Sequence, residues 1–498
     1  MDSMPNVEVL LPEQVAELAG SVTEVIGVFD DASCDETNAL KGNDIAMSID
    51  AMRAAGDKPG KLCVTSWQRI EWHPILRRVL LVGLGDTGEF DTGKVRRAAA
   101  AATKAAKGSQ SLVLAIDSSW LTAAPIENVC EAVVEGFLLA LDGPGRNKEN
   151  GNPQRLVIQV KSNTLISNAR SGVNTGLEIA MGVILARRVA DAPASEMTPY
   201  RLAEFCRDEF SKAGVVVSVM LDKDLDPKKF AGLIAVGHGS ANPPSFTTLE
   251  YSPNCEAKGT VVLIGKGITF DSGGLSLKDK THIQKMKYDK GGAASVLGAI
   301  YAAANLALPV HIIALIPAAE NLPSSTAFRP GDVLSMANGK SVEIISTDGE
   351  GRLILADALL YAKRFQSDFV IDVATLTGGC RTALGAMASG LFSNTPALLA
   401  ELQTAGETED EWLWPLPLFP QLVKQLSSEV ADLKNSTGPI ASGSTAAAFL
   451  QEFVNYPWAH IDIAGTAWDN NTSEYCPNKG ATGVGVRSLV RLLRMRSQ

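Results

Sequence analysis

What is scarce in this sequence narrows it first. Its seven cysteines, at 34, 63, 130, 206, 255, 380 and 476, are scattered, odd in number and without a CxxC pair. That argues against a disulfide framework and fits a reduced, intracellular protein. Only five histidines occur, at 73, 238, 282, 311 and 460, and no two stand at HxH or HxxxH spacing. A zinc site built on His and Cys therefore lacks its ligand set. Positive charge is short as well: 45 Lys and Arg against 55 Asp and Glu leave a net charge of -10. A surface of that sign repels phosphate backbones and counts against nucleic-acid binding. Uninterrupted apolar runs of membrane length are missing. The nearest, 301–319, is broken by Asn305, Pro309 and His311, and reads as a helix end followed by a core strand, so no membrane span is expected. The N-terminal MDSMPNVEVLLPEQVAEL has neither a basic start nor a long apolar segment, which leaves no secretory signal and a cytoplasmic expectation. The sequons at 435–437 and 470–472 then carry no glycan.

What is present is ordinary globular material: 46% hydrophobic and 20% charged over 498 residues, enough for more than one core. In the first third, apolar strands at 25–29, 79–82, 112–116 and 156–160 alternate with helical patterns at 95–107 and 127–140, an α/β order. A polar loop, 142–155, precedes a long helix near 172–190, which DAPASEMTP ends with turn chemistry. Strands then recur at 261–264, 311–316, 369–373 and 460–463, with helices at 291–304, 353–364, 444–454 and 485–495. The expected architecture is two α/β domains: a smaller one over 1–168, a connecting helix over 169–191, and a larger catalytic domain over 192–498 with a central mixed sheet flanked by helices.

The segment LLVGLGDTG carries Gly83, Gly85 and Gly88 in the outline of a dinucleotide fingerprint, and GEFDTGKV nearly completes a P-loop. Val95 stands where a magnesium-binding Ser or Thr belongs, and Asp86, Glu89 and Asp91 crowd the turn with negative charge. A tight strand-to-helix turn is the better reading.

A different stretch carries charge where it is costly. GKGITFDSGGLSLKDKTHIQKMKYDKGG follows the buried strand 261–264 and holds Lys266, Asp271, Lys278 and Asp289 among glycines. Charge at the end of a core strand calls for a partner or a metal. STDGEGRL adds Asp348, Glu350 and Arg352 at the start of a later helix. Singly, each has a plain alternative: a turn-capping Asp, a solvated Lys, an acidic pair favoured by a helix dipole. Together they suggest carboxylates converging at the carboxyl ends of strands, where a pair of divalent cations would neutralise them and activate water.

These segments resemble the signatures of the leucyl aminopeptidase family, the cytosol aminopeptidases. STDGEGRLILADAL is similar to that family's NTDAEGRL box and VVLIGKGITFDSGGLSLK to its lysine-aspartate segment; MKYDKGGAA, ENLPSSTAFRPGDV, DVATLTGG, ADLKNST and WAHIDIAGTAW extend the likeness in order, from about Val189 onward. The resemblance implies a macrodomain-like first domain and a metal-dependent aminopeptidase that removes leucine and similar apolar residues from short peptides with a free N-terminus. It implies two divalent ions per subunit, Zn or Mn, with Co or Mg as alternatives. One site would take Asp271, Asp348 and Glu350; the other Lys266, Asp271, Asp289 and Glu350, with Asp271 and Glu350 bridging. Lys278 would polarise the scissile carbonyl, and Arg352 would hold a bicarbonate ion as general base. Met286, Thr375, Gly378 and Ala464 would line the pocket for the first side chain. A cytoplasmic homohexamer is implied as well. Departures from the family pattern are small: Ser346 replaces the usual Asn, Gly349 the usual Ala, and His238, commonly Gln, is not read as a ligand. The competing readings are a metal-dependent phosphoesterase, since carboxylate-bridged metals serve both chemistries, and a non-catalytic DNA-binding or chaperone role.

Overall fold

A computed structural model describes residues 5–18, 20–31, 43–72, 75–143 and 151–497. Cys34, His73 and residues 144–150 of the polar loop lie outside the described residues. The six described cysteines are all free. Among the described residues no helix is long and apolar enough to cross a membrane. The chain divides into two compact units, 1–180 with 471–479, and 181–470 with 480–498.

The first unit is built on a six-stranded sheet in the order Asn6–Leu10, Arg155–Gln159, Ser111–Ala115, Val22–Phe29, Ile75–Gly85, Thr65–Trp72. All neighbours are parallel except the last pair. Thr92–Ala105 and Ile126–Leu141 are its packed helices; a Cβ on Gly136 would lie 2.2 Å from the Arg96 carbonyl, so only glycine allows their approach. Their buried contact carries an Arg96–Glu135 ion pair at 2.7 Å. The Gly83/Gly85/Gly88 turn is explained without a nucleotide. A Cβ on Gly83 would sit 1.9 Å from the Lys61 carbonyl, Gly85 has φ +80°, and Asp91 caps the following helix by accepting from the Lys94 N–H at 2.8 Å.

The second unit holds a nine-stranded mixed sheet. Its order is Trp412–Pro415, Ala388–Ser393, Trp458–Asp462, Phe369–Ala374, Thr260–Gly265, His311–Asn321, Ser245–Tyr251, Val216–Leu221, with Gly267–Asp271 paired to the His311–Asn321 strand. The four central strands from Trp458–Asp462 to His311–Asn321 are mutually parallel. They read as near-continuous apolar runs because both faces are covered; Val261 to Ile264 are at most 2% exposed. Gly291–Asn305 and Glu350–Ala362 are among the helices packed on them.

Two expected elements differ. The strand expected to end at 316 continues to Asn321, and a strand that was not expected, Gly267–Asp271, pairs with its upper half, Gly267 opposite Ala318 and Asp271 opposite Asn321. Pro317 and the glycines around Ile268 hid both; Gly267 lies against the Pro317 carbonyl, where a Cβ would come within 2.6 Å. The long helix runs Asn163–Asp191, beginning earlier than expected because its first turns, NTLISNAR, carry no apolar stripe.

The parallel strands also depend on a close helix. A Cβ on Gly292 would stand 2.0 Å from the Val373 carbonyl. Gly292→Ala is therefore expected to lower stability by about 1–3 kcal/mol, read as a drop in thermal midpoint with the fold retained.

Candidate metal centre

The four central strands deliver their following residues to one edge of the sheet, the edge where α/β sheets bind ligands. Lys266 leaves its strand with its N–H donating to the Val373 carbonyl at 3.0 Å. Its side chain is buried. Nζ donates to Asp289 Oδ1 at 2.8 Å and to the Thr375 carbonyl at 2.9 Å, and lies 3.0 Å from Glu350 Oε1. A Cβ on Gly351 would meet the Lys266 Cε at 2.5 Å, so glycine there makes room for the lysine stem. Lys278 Nζ lies 2.8 Å from Asp271 Oδ2 and 2.5 Å from Asp348 Oδ1. Two ammonium groups thus stand among four carboxylates.

Three of those carboxylates, Asp271, Asp348 and Glu350, each offer an oxygen within 4.8 Å of the others. Asp289 Oδ2 and Glu350 Oε2 are buried with no hydrogen-bond partner among the described residues. A buried carboxylate oxygen without a donor costs about 1–3 kcal/mol or more. Converging oxygens that lack N–H donors are what a divalent cation accepts, and the residues fit such an ion.

Electrostatics follow from burial first. It drives the Asp271 carboxyl well above its ordinary value, with Glu350 adding repulsion and Lys278 opposing. It pushes Asp289 up to about 6 against the pull of Lys266, and raises Asp348. Glu350 is held low: burial opposes its charge, but Lys266 and Lys278 outweigh it. Burial likewise opposes the charge on Lys266 and Lys278, and the neighbouring carboxylates, Asp289 first for Lys266 and Asp271 first for Lys278, hold both ammonium groups above their usual range.

Polar residues not singled out from the sequence hold the ligand loops. Asn321 Nδ2 donates to Asp271 Oδ1 at 2.9 Å and to the Thr347 carbonyl at 2.9 Å, tying two carboxylate-bearing segments together. Asp271 Oδ1 also accepts from the Gly273 N–H at 2.8 Å, in a turn that puts Gly273 and Gly274 at positive φ. Fully buried Asn435 spans the 345–352 loop. Its Oδ1 accepts from the Ile345 N–H at 2.8 Å, its Nδ2 donates to the Ser346 carbonyl at 2.7 Å, and its own carbonyl accepts from Arg352 Nη1 at 2.6 Å. Ser346 Oγ accepts from the Asp348 N–H at 3.2 Å, a local bond within this loop. Asp462 Oδ1 accepts from the N–H groups of Leu376 and Ala464, both at 3.1 Å, and Oδ2 from Thr377 Oγ1 at 2.7 Å. Both sequon asparagines, Asn435 and Asn470, are buried with their amides engaged, so neither accepts a glycan in the folded chain. The signal for these residues was available: each lies inside a quoted segment where a polar side chain interrupts apolar chain and must find partners when buried.

The centre opens into a cavity of about 1050 Å³. Lys266, Lys278 and the four carboxylates line it together with Met286, Thr375, Gly378 and Ala464. Arg352, buried, does not line the wall, and its Nε has no partner among the described residues. His238 is not on the wall either.

Residues 184–490 match the model of the cytosol aminopeptidase family, catalytic domain, and residues 25–150 that of the same family's N-terminal domain. A probable cytosol aminopeptidase of Roseiflexus castenholzii is 43% identical over 84% of this chain and 87% of its own length. One of Chlorobium luteolum is 38% identical over 97% and 95%. The solved structure of the bottromycin maturation enzyme BotP in complex with Mn superposes with a TM-score of 0.84 at 34% identity, covering 96% of this chain and all of that one.

Asn435→Ala would leave the amides and carbonyls of the 345–349 turn unsatisfied. The expected outcome is a loss of about 2–4 kcal/mol in stability, with divalent-metal affinity falling more than tenfold, checked by thermal unfolding and metal titration.

Proposed function

The chain belongs to the cytosol aminopeptidase family and is a metallo-exopeptidase, and from that premise we infer that it removes N-terminal residues, leucine and similar apolar ones foremost, from short peptides bearing a free amine. The observation that carries the site assignment is the pair of buried, partnerless oxygens, Asp289 Oδ2 and Glu350 Oε2, beside three carboxylates within 4.8 Å. We assign catalysis to residues 192–498, reached through the connecting helix 169–191 from the domain over 1–168. Asp271, Asp348 and Glu350 would hold one divalent cation, and Lys266, Asp271, Asp289 and Glu350 a second, Zn or Mn foremost, with Co or Mg as alternatives. Bound there, the cations supply Lewis acidity and a hydroxide nucleophile at neutral pH.

The remaining work falls to the chain. Asn321 and the Gly273 N–H fix Asp271 Oδ1, which leaves the other oxygen toward Lys278. Lys278, exposed enough to meet substrate and held charged by Asp271, Glu350 and Asp348, donates to the scissile carbonyl oxygen and stabilises the charge that develops on it. Arg352, whose Nε has no partner among the described residues, would hold a bicarbonate ion, which would supply the general base. Met286, Thr375, Gly378 and Ala464 form an uncharged wall for the first side chain. Lys266 acts as a ligand only as a neutral amine, so its proton must leave when the site fills. We place the enzyme in the cytoplasm, in keeping with its relatives' names, as a homohexamer, to be read as a particle six chains in size by light scattering.

Metal-stripped protein resupplied with Mn, Zn, Co or Mg should cleave a leucine amide and leave its N-acetylated form intact. Cleavage of neither, in any metal, would overturn the assignment. Lys278→Met should lower kcat about 10²–10³-fold, with a much smaller change in KM.

Metal uptake should release protons, since Lys266 and Asp289 hold protons in the metal-free site that a cation displaces. Both values are raised, so competition is strongest at low pH: affinity should rise from pH 5.5 to pH 8, steeply near the Asp289 value of about 6. Calorimetry in buffers of different ionisation enthalpy measures it; pH-independent affinity without proton release would contradict the ligand set.

A further inference from the structure

Of the lysines and arginines that line the cavity among the described residues, one has no carboxylate partner. Lys266 and Lys278 stand among the four carboxylates, and Lys285 Nζ is 2.5 Å from Asp469 Oδ2. Arg381 is exposed and lines the same cavity, and no carboxylate pairs with it among the described residues. Its guanidinium stands over the Trp468 ring, 5.6 Å from the centroid, which fixes a direction for it without neutralising its charge.

Its position is set from two sides. Arg381 lies on the Gly378–Leu384 helix, one turn beyond Gly378 and on the same face. From the other side, a Cβ on Gly465 would come 3.4 Å from the Arg381 Cα, so the segment after Ala464 runs against it. Asp462 ties both segments together through the N–H groups of Leu376 and Ala464. Arg381 thus shares the cavity wall with Gly378 and Ala464, two of the residues assigned above to the first side chain. The charge balance of the wall also turns in its favour. Six carboxylates face three lysines and this arginine, a net of -2 with His282 neutral; two divalent cations would make that balance positive and admit a substrate anion.

We propose that Arg381 is a carboxylate-binding subsite, so that the enzyme takes peptides presenting a carboxylate at this wall: an acidic first side chain, or the free C-terminus of a dipeptide. The inference rests on the aminopeptidase reading and deepens its substrate class. A planar guanidinium offers paired N–H donors that match a carboxylate and have no equivalent use for a neutral amide.

The test uses metal-loaded enzyme and two matched pairs. Glutamyl against glutaminyl anilide varies only the charge of the first side chain, and Leu-Ala against Leu-Ala-amide only that of the C-terminus. We expect the wild type to favour the charged member of one pair by about tenfold or more in kcat/KM, and that pair names the source of the carboxylate. Arg381→Gln should bring the ratio close to one, and Arg381→Lys should keep part of it. Because each ratio is taken within one variant, a loss of folded enzyme cancels. Ratios near one for both pairs in the wild type, or a preference that survives Arg381→Gln, overturn the subsite and leave the aminopeptidase standing. Failure to hydrolyse any of the four substrates overturns both.

Discussion

Crowding four carboxylates into a largely buried edge of a parallel sheet is the constraint around which the second unit is organised. Isolated, such charges would not remain ionised away from water. Here the repulsion between Asp271, Asp289, Asp348 and Glu350 is met by Lys266 and Lys278, at 2.5–3.0 Å. The shifts of these groups are two faces of that balance: Asp271, Asp289 and Asp348 are raised by burial, the two ammonium groups are raised by carboxylates, and Glu350 is held low by the lysines.

Bringing these groups together requires backbones to approach more closely than side chains normally permit. Gly292 against the Val373 carbonyl, Gly267 against the Pro317 carbonyl and Gly351 against the Lys266 stem make that approach possible. Asn321 through its amide N–H groups, Asn435 through its amide N–H and oxygen, and Asp462 through both carboxylate oxygens then fix the loops. Apolar packing builds the strands, glycine brings them close, and amide and carboxylate side chains orient what emerges from their ends.

Much of this was legible in the sequence. The central strands gave themselves away as short apolar runs, and the residues of the candidate centre as charges placed among glycines beyond those runs. The strand Gly267–Asp271 was not legible, since GITFD is only five residues long, follows Thr260–Gly265 after the single residue Lys266, and pairs with the distant strand His311–Asn321. The roles of Asn321, Asn435 and Asp462 were hidden for a related reason. Each bonds to residues 26 to 90 positions away, or nearly so, and local pattern cannot reveal a partner at that separation. The Gly83/Gly85/Gly88 turn shows the converse: its motif was visible, but the reasons for Gly83, the Lys61 carbonyl against it, and for Gly85, its positive φ, appear only in the fold.

Lys266 and Lys278 also bear on how the site is held together. Because their ammonium groups already counter much of the negative charge, the four carboxylates stand together with charge partners of the chain's own, unlike the ligands of small domains whose fold waits for zinc. A cation entering such a site would meet positions already held in place by hydrogen bonds, from Asn321 to Asp271 and from Asn435 across the 345–349 turn.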